Sequence, residues 1–269
     1  MTEIPRKLWE GKIPACFNLA SYEVCSTKAP APVYLMLPRS AYLTLFTPKI
    51  VEHFSRHTDE DKKSEVWYEF NGQPLKWQYP CGLLFDLHCE SSVLPWVITV
   101  HFHNFPTGEL IRCSSEKAIE SNYLSMLKEA DQLKHKGQII NNMRETQQGQ
   151  LWHGVKMDNF EEFWSINKQF MTDYEHSECF RCIPIRIYFQ NQIIQKLFKP
   201  SENTQLTLKE ALTMCLPMLF QQDETTPQVI TQGVHPPLQA PLQWLSENFG
   251  YADNFLHICV RQPINRRLE

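Results

Sequence analysis

The sequence predicts an α+β protein in which two sheet-forming segments flank a helix-rich middle. The order strand, strand, helix, strand, short helical turn, strand is read in the first third of the chain and again in the last. A local echo marks the same point in each copy: Pro74-Leu75-Lys76-Trp77 and Pro241-Leu242-Gln243-Trp244 both follow a Gly-terminated strand and precede an apolar closing strand. Between the copies, apolar residues recur at helical spacing.

In the first copy, residues 31–37 and 43–46 read as strands. Thr47 and Pro48 open a helical stretch with Ile50, Val51 and Phe54 on one side. Pro suits a first helical turn, where its missing N–H has no partner to lose. Residues 66–70 alternate as a strand and stop at Asn71-Gly72, a strong turn signal. A short segment at 82–85 leads to residues 96–102, a β-branched closing strand. In the second copy, residues 183–189 place Ile183, Ile185, Ile187 and Phe189 on one strand face. A turn at Asn191-Gln192, a return strand at 193–198, a helix at 206–214 stopped near Pro217 and a strand at 228–231 follow. A short turn at 241–245 and a final strand at 255–260 complete it. This order is similar to the β-grasp of ubiquitin, a mixed sheet curled over one helix.

The middle opens at Ser114-Ser115-Glu116, which can cap a helix and place an acid in its first turn. Ile119, Tyr123, Met126, Ala130 and Leu133 then fall on one stripe. Asp158-Asn-Phe-Glu161 has the form of a capping box for a further helix, buried through Phe160, Phe163, Trp164 and Phe170. The polar residues 144–150 read as the loop between. The expected organisation is an N-terminal helical segment at 1–12, a first ubiquitin-like domain at 13–104, a helix-rich domain at 114–172 and a second ubiquitin-like domain at 181–269.

Composition excludes several functions. With 42% apolar and 12% aromatic residues, the 269-residue chain can build real cores. A net charge of −4 argues against a dedicated nucleic-acid binder. The N-terminus lacks the apolar stretch of a secretory signal, and no apolar run is long enough for a transmembrane helix. Only nine Gly occur, in neither the dinucleotide nor the P-loop pattern. The nine Cys are odd in number and scattered, as expected for reduced thiols in a cytoplasmic protein. Cys179-x-x-Cys182, with His176 nearby, lacks the second pair that a structural zinc site uses, so no metal and no cofactor are expected. His101 and His103 share a strand face and read as plain surface residues. No signature of a nucleophilic Cys or Ser flanks any candidate, and no catalytic residue is expected.

Two features point to interactions instead. Residues 179–200 contain Arg181, Arg186, Lys196 and Lys199 and, past Glu178, no acid. Such a patch could meet anionic lipid or an acidic partner, or simply be solvated. Lys128 lies at about 180° from Ile119 on a helical wheel, opposite the apolar stripe, whereas Lys134 lies nearer the buried side. The chain ends in Arg266-Arg267-Leu268-Glu269, without the terminal Gly that a transferred ubiquitin-like modifier needs. An acceptor, adaptor or scaffold is the corresponding role.

The segment Lys128-Glu-Ala-Asp-Gln-Leu-Lys-His-Lys136 resembles the signature helix of the autophagy protein five family. Pro74-Leu-Lys-Trp77, Cys81-Gly-Leu-Leu-Phe-Asp86, Leu94-Pro-Trp96, Ile98-Thr-Val-His-Phe102, Pro241-Leu-Gln-Trp-Leu-Ser-Glu247 and Asp253-Asn-Phe-Leu-His-Ile258 extend the resemblance over essentially the whole chain. It implies two ubiquitin-like domains flanking a helix-rich domain. It also implies a non-catalytic scaffold of autophagy, conjugated by an isopeptide bond on Lys128 to the ubiquitin-like autophagy protein twelve. A helix of autophagy protein sixteen is the implied non-covalent partner. The resulting E3-like complex directs an E2-like enzyme to lipidate eighth-family ubiquitin-like proteins on phosphatidylethanolamine. The implied location is cytoplasmic with recruitment to the phagophore membrane. A thiol enzyme of the ubiquitin system and an unconjugated ubiquitin-like adaptor are the alternative readings.

Overall fold

The computed structural model describes residues 3–58, 65–89, 93–171, 180–200, 206–221 and 227–262. The chain divides into two compact units, residues 9–122 and residues 123–269 together with 1–8. This division is coarser than the four segments read from the sequence. Helix α1 (Glu3–Trp9) precedes the first strand, and within the second unit Arg6 pairs with Glu161 and lies over the Phe160 ring.

The first unit holds β1 (Lys12–Leu19), β2 (Val33–Pro38), α2 (Thr47–Phe54), β3 (Trp67–Phe70), β4 (Gln73–Pro74), α3 (Cys81–His88) and β5 (Trp96–His101). The sheet order is β2-β1-β5-β3-β4. β1 runs antiparallel to β2 and parallel to β5. One face of this sheet buries Phe17, Leu37, Ile98 and Val100 with Ile50 and Phe54 of α2 and Leu84 of α3. Pro48 sits in the first turn of α2, as the sequence predicts. Asn71 and Gly72 both take positive φ, 51° and 78°, which suits a two-residue hairpin between β3 and β4.

The structure corrects the strand reading at two places. The first strand is β1, and residues 31–37 belong to the second strand of the hairpin. Pro14 disguises β1, because proline inside a strand removes a ladder donor. Here the loss is harmless: parallel pairing with β5 starts one residue later, at Ala15↔Trp96. Residues 43–46 are a 3₁₀ turn rather than a strand; the Leu45 N–H donates to the Tyr42 carbonyl, turning the chain into α2. Residues 82–85 lie inside α3, whose first turn is held by Cys81 N–H to Ala41 O and Gly82 N–H to Arg39 O.

Helix α4 (Glu116–His135) crosses the division between the units. The second unit continues with α5 (Gln138–Asn142), α6 (Glu145–Lys156), α7 (Phe160–Asn167), β6 (Ile185–Phe189), β7 (Gln192–Ile194), α8 (Leu208–Cys215), α9 (Pro217–Phe220), β8 (Gln228–Ile230), α10 (Leu242–Phe249) and β9 (Leu256–Arg261). Its sheet order, β7-β6-β9-β8, repeats the first with a parallel β6–β9 centre. Ile185, Ile187, Val229 and Ile258 pack with Leu208, Leu212 and Leu245. A full capping box between Thr207 and Glu210 starts α8. The turn expected at 241–245 is the start of α10.

Residues 144–150 are not a loop. They begin α6, where the Gln147 side chain accepts from the Arg144 N–H and the next turns bury Leu151, Trp152 and Val155. Its first turns are polar because they face water. The cap of α7 is Asn159, whose side chain accepts from the Glu162 N–H at 3.2 Å. Asp158, one residue earlier, has φ of 54° and forms part of the preceding turn.

Gly82 shows how closely α3 approaches the rest of its unit. A Cβ there would lie 2.8 Å from Arg39 Cβ and 3.0 Å from the Arg39 carbonyl oxygen. The contact cannot open easily, because Arg39 donates to the Gly82 carbonyl and pairs with the buried Asp86 carboxylate. Gly82→Ala is expected to destabilise the fold by about 1–3 kcal/mol. Gly108→Ala, where nothing lies within 4 Å of the added methyl, serves as the control and should change stability little. Urea unfolding of both variants checks this.

Candidate functional site

Helix α4 carries the site. The Ser115 hydroxyl accepts from the Ala118 N–H at 3.3 Å and caps it, with Glu116 in the first turn. Lys136 and Gly137, at φ of 58° and 76°, end it in left-handed geometry. The buried residues are Ile119, Tyr123, Leu127, Ala130, Asp131 and Lys134. The expected stripe had Met126 and Leu133 where Leu127 and Lys134 stand, and both of those are half-buried. At 100° per residue Leu127 and Lys134 lie within about 40° of Tyr123, so the buried face is centred a little to one side of the expected stripe.

Between residues 128 and 134, three polar side chains are held by partners. Glu129 Oε2 pairs with the Arg186 guanidinium at 2.8 Å, and Glu129 Oε1 accepts from Gln195 Nε2 at 3.0 Å. Asp131 Oδ2 accepts from the Ile140 N–H at 2.9 Å and so anchors the start of α5. Lys134 is 1% exposed; its Nζ donates to Asn254 Oδ1 at 2.9 Å and lies 4.6 Å from the Phe180 ring centre. Asn254 passes the network on to Asn167 at 2.7 Å. Burial pushes the Lys134 amine down to about 7, against the pull of Glu247, Asp131 and Asp253. Beside it, Asp253 bonds His257 at 3.0 Å, and His257 meets the Tyr188 hydroxyl at 2.9 Å.

Lys128 differs from all three. It is exposed and makes no hydrogen bond or ion pair with a described residue. Its amine therefore projects into water from a helix whose rotation is set by its neighbours. Lys136 is exposed as well, at the left-handed end of the helix.

The basic patch read from the sequence is not assembled as a free surface. Arg181 and Lys199 are exposed, and Lys196 donates to the Met214 carbonyl at 3.3 Å. Arg186 is only 15% exposed and is held by Glu129, Gln195 and the Phe255 ring, so an anion would have to displace Glu129. The sequence hint of this pairing was a lone base on the strand face opposite Ile185 and Ile187. Cys179 and His176 lie outside the described residues. Cys182 is buried, with its N–H bonded to the Leu133 carbonyl. Burial pushes the Cys81, Cys113 and Cys215 thiols up, away from the thiolate that nucleophilic chemistry needs.

His101 and His103 are not plain surface residues. His101 is buried, stacks on Trp67 at 3.9 Å and bonds the Tyr22 hydroxyl at 2.8 Å and Glu69 at 3.1 Å. His103 meets Glu23, whose buried carboxylate also accepts the Phe102 N–H. Among the described residues no group of three or more His, Cys, Asp or Glu is arranged to hold a metal ion. No described helix is long and apolar enough to cross a membrane.

Comparison with known proteins agrees with this architecture. The family models "Autophagy protein ATG5, UblA domain", "Autophagy protein ATG5, alpha-helical bundle region" and "Autophagy protein ATG5, UblB domain" match residues 8–102, 116–173 and 182–260. The chain belongs to the autophagy protein 5 family. Two ubiquitin-like domains thus flank a helical bundle region. Autophagy protein 5 of Drosophila melanogaster is 40% identical over 263 residues, covering 96% of each chain. Autophagy-related protein 5 of Caenorhabditis elegans is 33% identical, covering 96% of this chain and 97% of its own. The crystal structure of Kluyveromyces marxianus Atg5 shares the fold with a TM-score of 0.82 at 20% identity, over 97% of this chain and all of that one.

The buried amine of Lys134 links stability to pH. Its folded value of about 7 lies below the ordinary lysine value of 10.5, so between these the unfolded chain binds more protons than the folded one. Stability then rises with pH across that window. Measured by urea unfolding against Lys134→Met, which has no proton to lose, the wild-type chain should gain relative stability as pH is raised from about 7 to 9. A difference that stays flat over that range would show the amine is not depressed.

Proposed function

We propose that the chain is a non-catalytic scaffold of autophagy that accepts the ubiquitin-like autophagy protein twelve on Lys128. In that step the Lys128 amine attacks the thioester carbonyl that joins protein twelve to its E2-like enzyme. The C–N bond forms, the C–S bond breaks, the E2 cysteine leaves as thiolate and the amine gives up a proton. The amine attacks in its neutral form, and the conjugating enzyme supplies the deprotonation. The conjugate, with a helix of autophagy protein sixteen bound non-covalently, acts as an E3-like complex. It directs a second E2-like enzyme to lipidate eighth-family ubiquitin-like proteins on phosphatidylethanolamine. The protein is cytoplasmic in this reading and is recruited to the phagophore as a peripheral component.

The observation that supports this reading most directly is the contrast along one helix. Glu129, Asp131 and Lys134 are committed to tertiary partners, while Lys128 is exposed and unpartnered among the described residues. An acceptor must enter another enzyme's active site, which a held or buried amine cannot do. Arg181, Lys196 and Lys199 remain proposed contacts to anionic headgroups, each contributing about 1 kcal/mol near a charged surface. Arg186 drops out of that role through its pairing with Glu129.

Lys128→Arg is expected to abolish the covalent conjugate with no loss of fold, because a guanidinium keeps the charge but stays protonated. Lys136→Arg should conjugate as the wild type does. A denaturing blot and a thermal melt of the two variants check this; a surviving one-modifier shift in Lys128→Arg would overturn the assignment.

A further inference from the structure

Strand β2 forms one edge of the first sheet, and among the described residues no strand pairs with its outer side. The register shows which backbone groups face outward. Pro14 stands opposite Met36 and has no N–H, so that pair cannot exchange hydrogen bonds. Beyond the strand, Arg39 N–H donates to the Gly11 carbonyl, which places residues 33, 35 and 37 of β2 in the bonded positions toward β1. The N–H and C=O groups of Tyr34 and Met36 therefore point away from the sheet, spaced as an extended chain would need them.

The side chains on this edge match that opening. Tyr34 is 66% and Met36 56% exposed on the outer face, and Val33 and Leu35 are half-buried on the inner face. Four consecutive apolar residues thus keep surface in water at a place where proteins ordinarily put Lys, Pro or a bulge to block pairing. No charged residue lies within Val33–Pro38.

Charge marks one end. Residues 25–31 are tied to the end of α2 and the turn after it: Cys25 N–H donates to the His57 carbonyl, Ser26 Oγ bonds His57, and His53 bonds the Ala31 carbonyl. This brings Lys28, His53 and Arg56, all exposed, to the Val33 end of the strand, with Glu52 as the described acid beside them.

We propose that the open edge of β2 is a docking site for an extended apolar segment of a partner protein with an acidic flank, added to the sheet as a sixth strand. The open N–H and C=O groups supply affinity, and the exposed Tyr34 and Met36 and the basic end supply choice of sequence. A second copy of this chain fits less well. A twofold β2 pair would set Lys28 and Arg56 of each copy toward the Lys12 end of the other, where Lys12 is a further cation and Glu10 a single described acid.

The test uses the full chain, labelled with ¹⁵N, and the synthetic peptide Glu-Asp-Val-Ile-Val-Ile-Ser. Adding the peptide should shift the Tyr34 and Met36 amide signals and slow exchange of those two amides. Met36→Pro removes one outward N–H without touching the bonds to β1 and should weaken binding about tenfold. Tyr34→Lys, a change at a side chain already in water, should weaken it as well and stands in if Met36→Pro fails to fold. A peptide with Lys in place of the acidic pair should bind more weakly. Tyr34 and Met36 amides that stay still at millimolar peptide would overturn the proposal. So would Tyr34→Lys binding at full strength, or sedimentation showing that the edge is filled by a second copy and freed by Tyr34→Lys.

Discussion

Burial of the Lys134 amine determines how α4 can sit. A lysine head group with no water around it must have a donor's partner, and Asn254 supplies one at 2.9 Å. Asn254 is itself held at positive φ by the turn before β9 and bonded to Asn167 at the end of α7. A change in the rotation of α4 would leave the amine and Asn254 Oδ1 without each other. Glu129 with Arg186 and Asp131 with the Ile140 N–H restrict the same helix from two other directions. These three constraints fix the rotation at which Lys128 is left exposed. The exposure of that amine is therefore a consequence of what its neighbours are doing rather than a property of the residue.

The two sheets show the same economy of design under different loads. Each has a parallel pair at its centre, β1–β5 and β6–β9, flanked by an antiparallel hairpin. The first sheet carries a regular β3–β4 hairpin at Asn71-Gly72, while the second reduces the equivalent part to a single bridge, Thr231↔Val234. The second sheet also carries a polar network, Asp253–His257–Tyr188, in its interior. The first places its buried acid and imidazoles, Glu23, His101 and His103, where the sheet meets the 20–24 turn. Buried carboxylates of this kind persist when donors meet them, and here Glu23 and Asp253 each accept from a backbone N–H.

Much of the architecture was legible in the order of residues. Periodicity identified the closing strand at 96–101, the strand at 185–189 and the long helix, because a half-buried strand and an amphipathic helix each impose a repeat on the sequence. Asn71-Gly72 was readable because left-handed turns demand particular residue types, whereas the capping box read at Asp158–Glu161 missed the actual cap, Asn159, by one residue. The errors also have causes. Pro14 concealed β1, whose missing donor falls just before parallel pairing begins. Residues 144–150 were read as a loop because polar composition does not distinguish a solvated helical turn from a loop.

The sequence by itself determined the α+β class, the repeated order of elements, the helix that bears Lys128 and, through its motifs, the family. These depend on local spacing and on residue types that only certain backbone conformations accept. Only the tertiary structure decided that Lys134 is buried and Lys128 is not held, that Arg186 is paired rather than free, that His101 lies under Trp67, and that Tyr34 and Met36 front an open strand edge. Each of those facts joins residues far apart in the chain. Burial and pairing are properties of the neighbours that folding brings together, and local spacing carries no record of them.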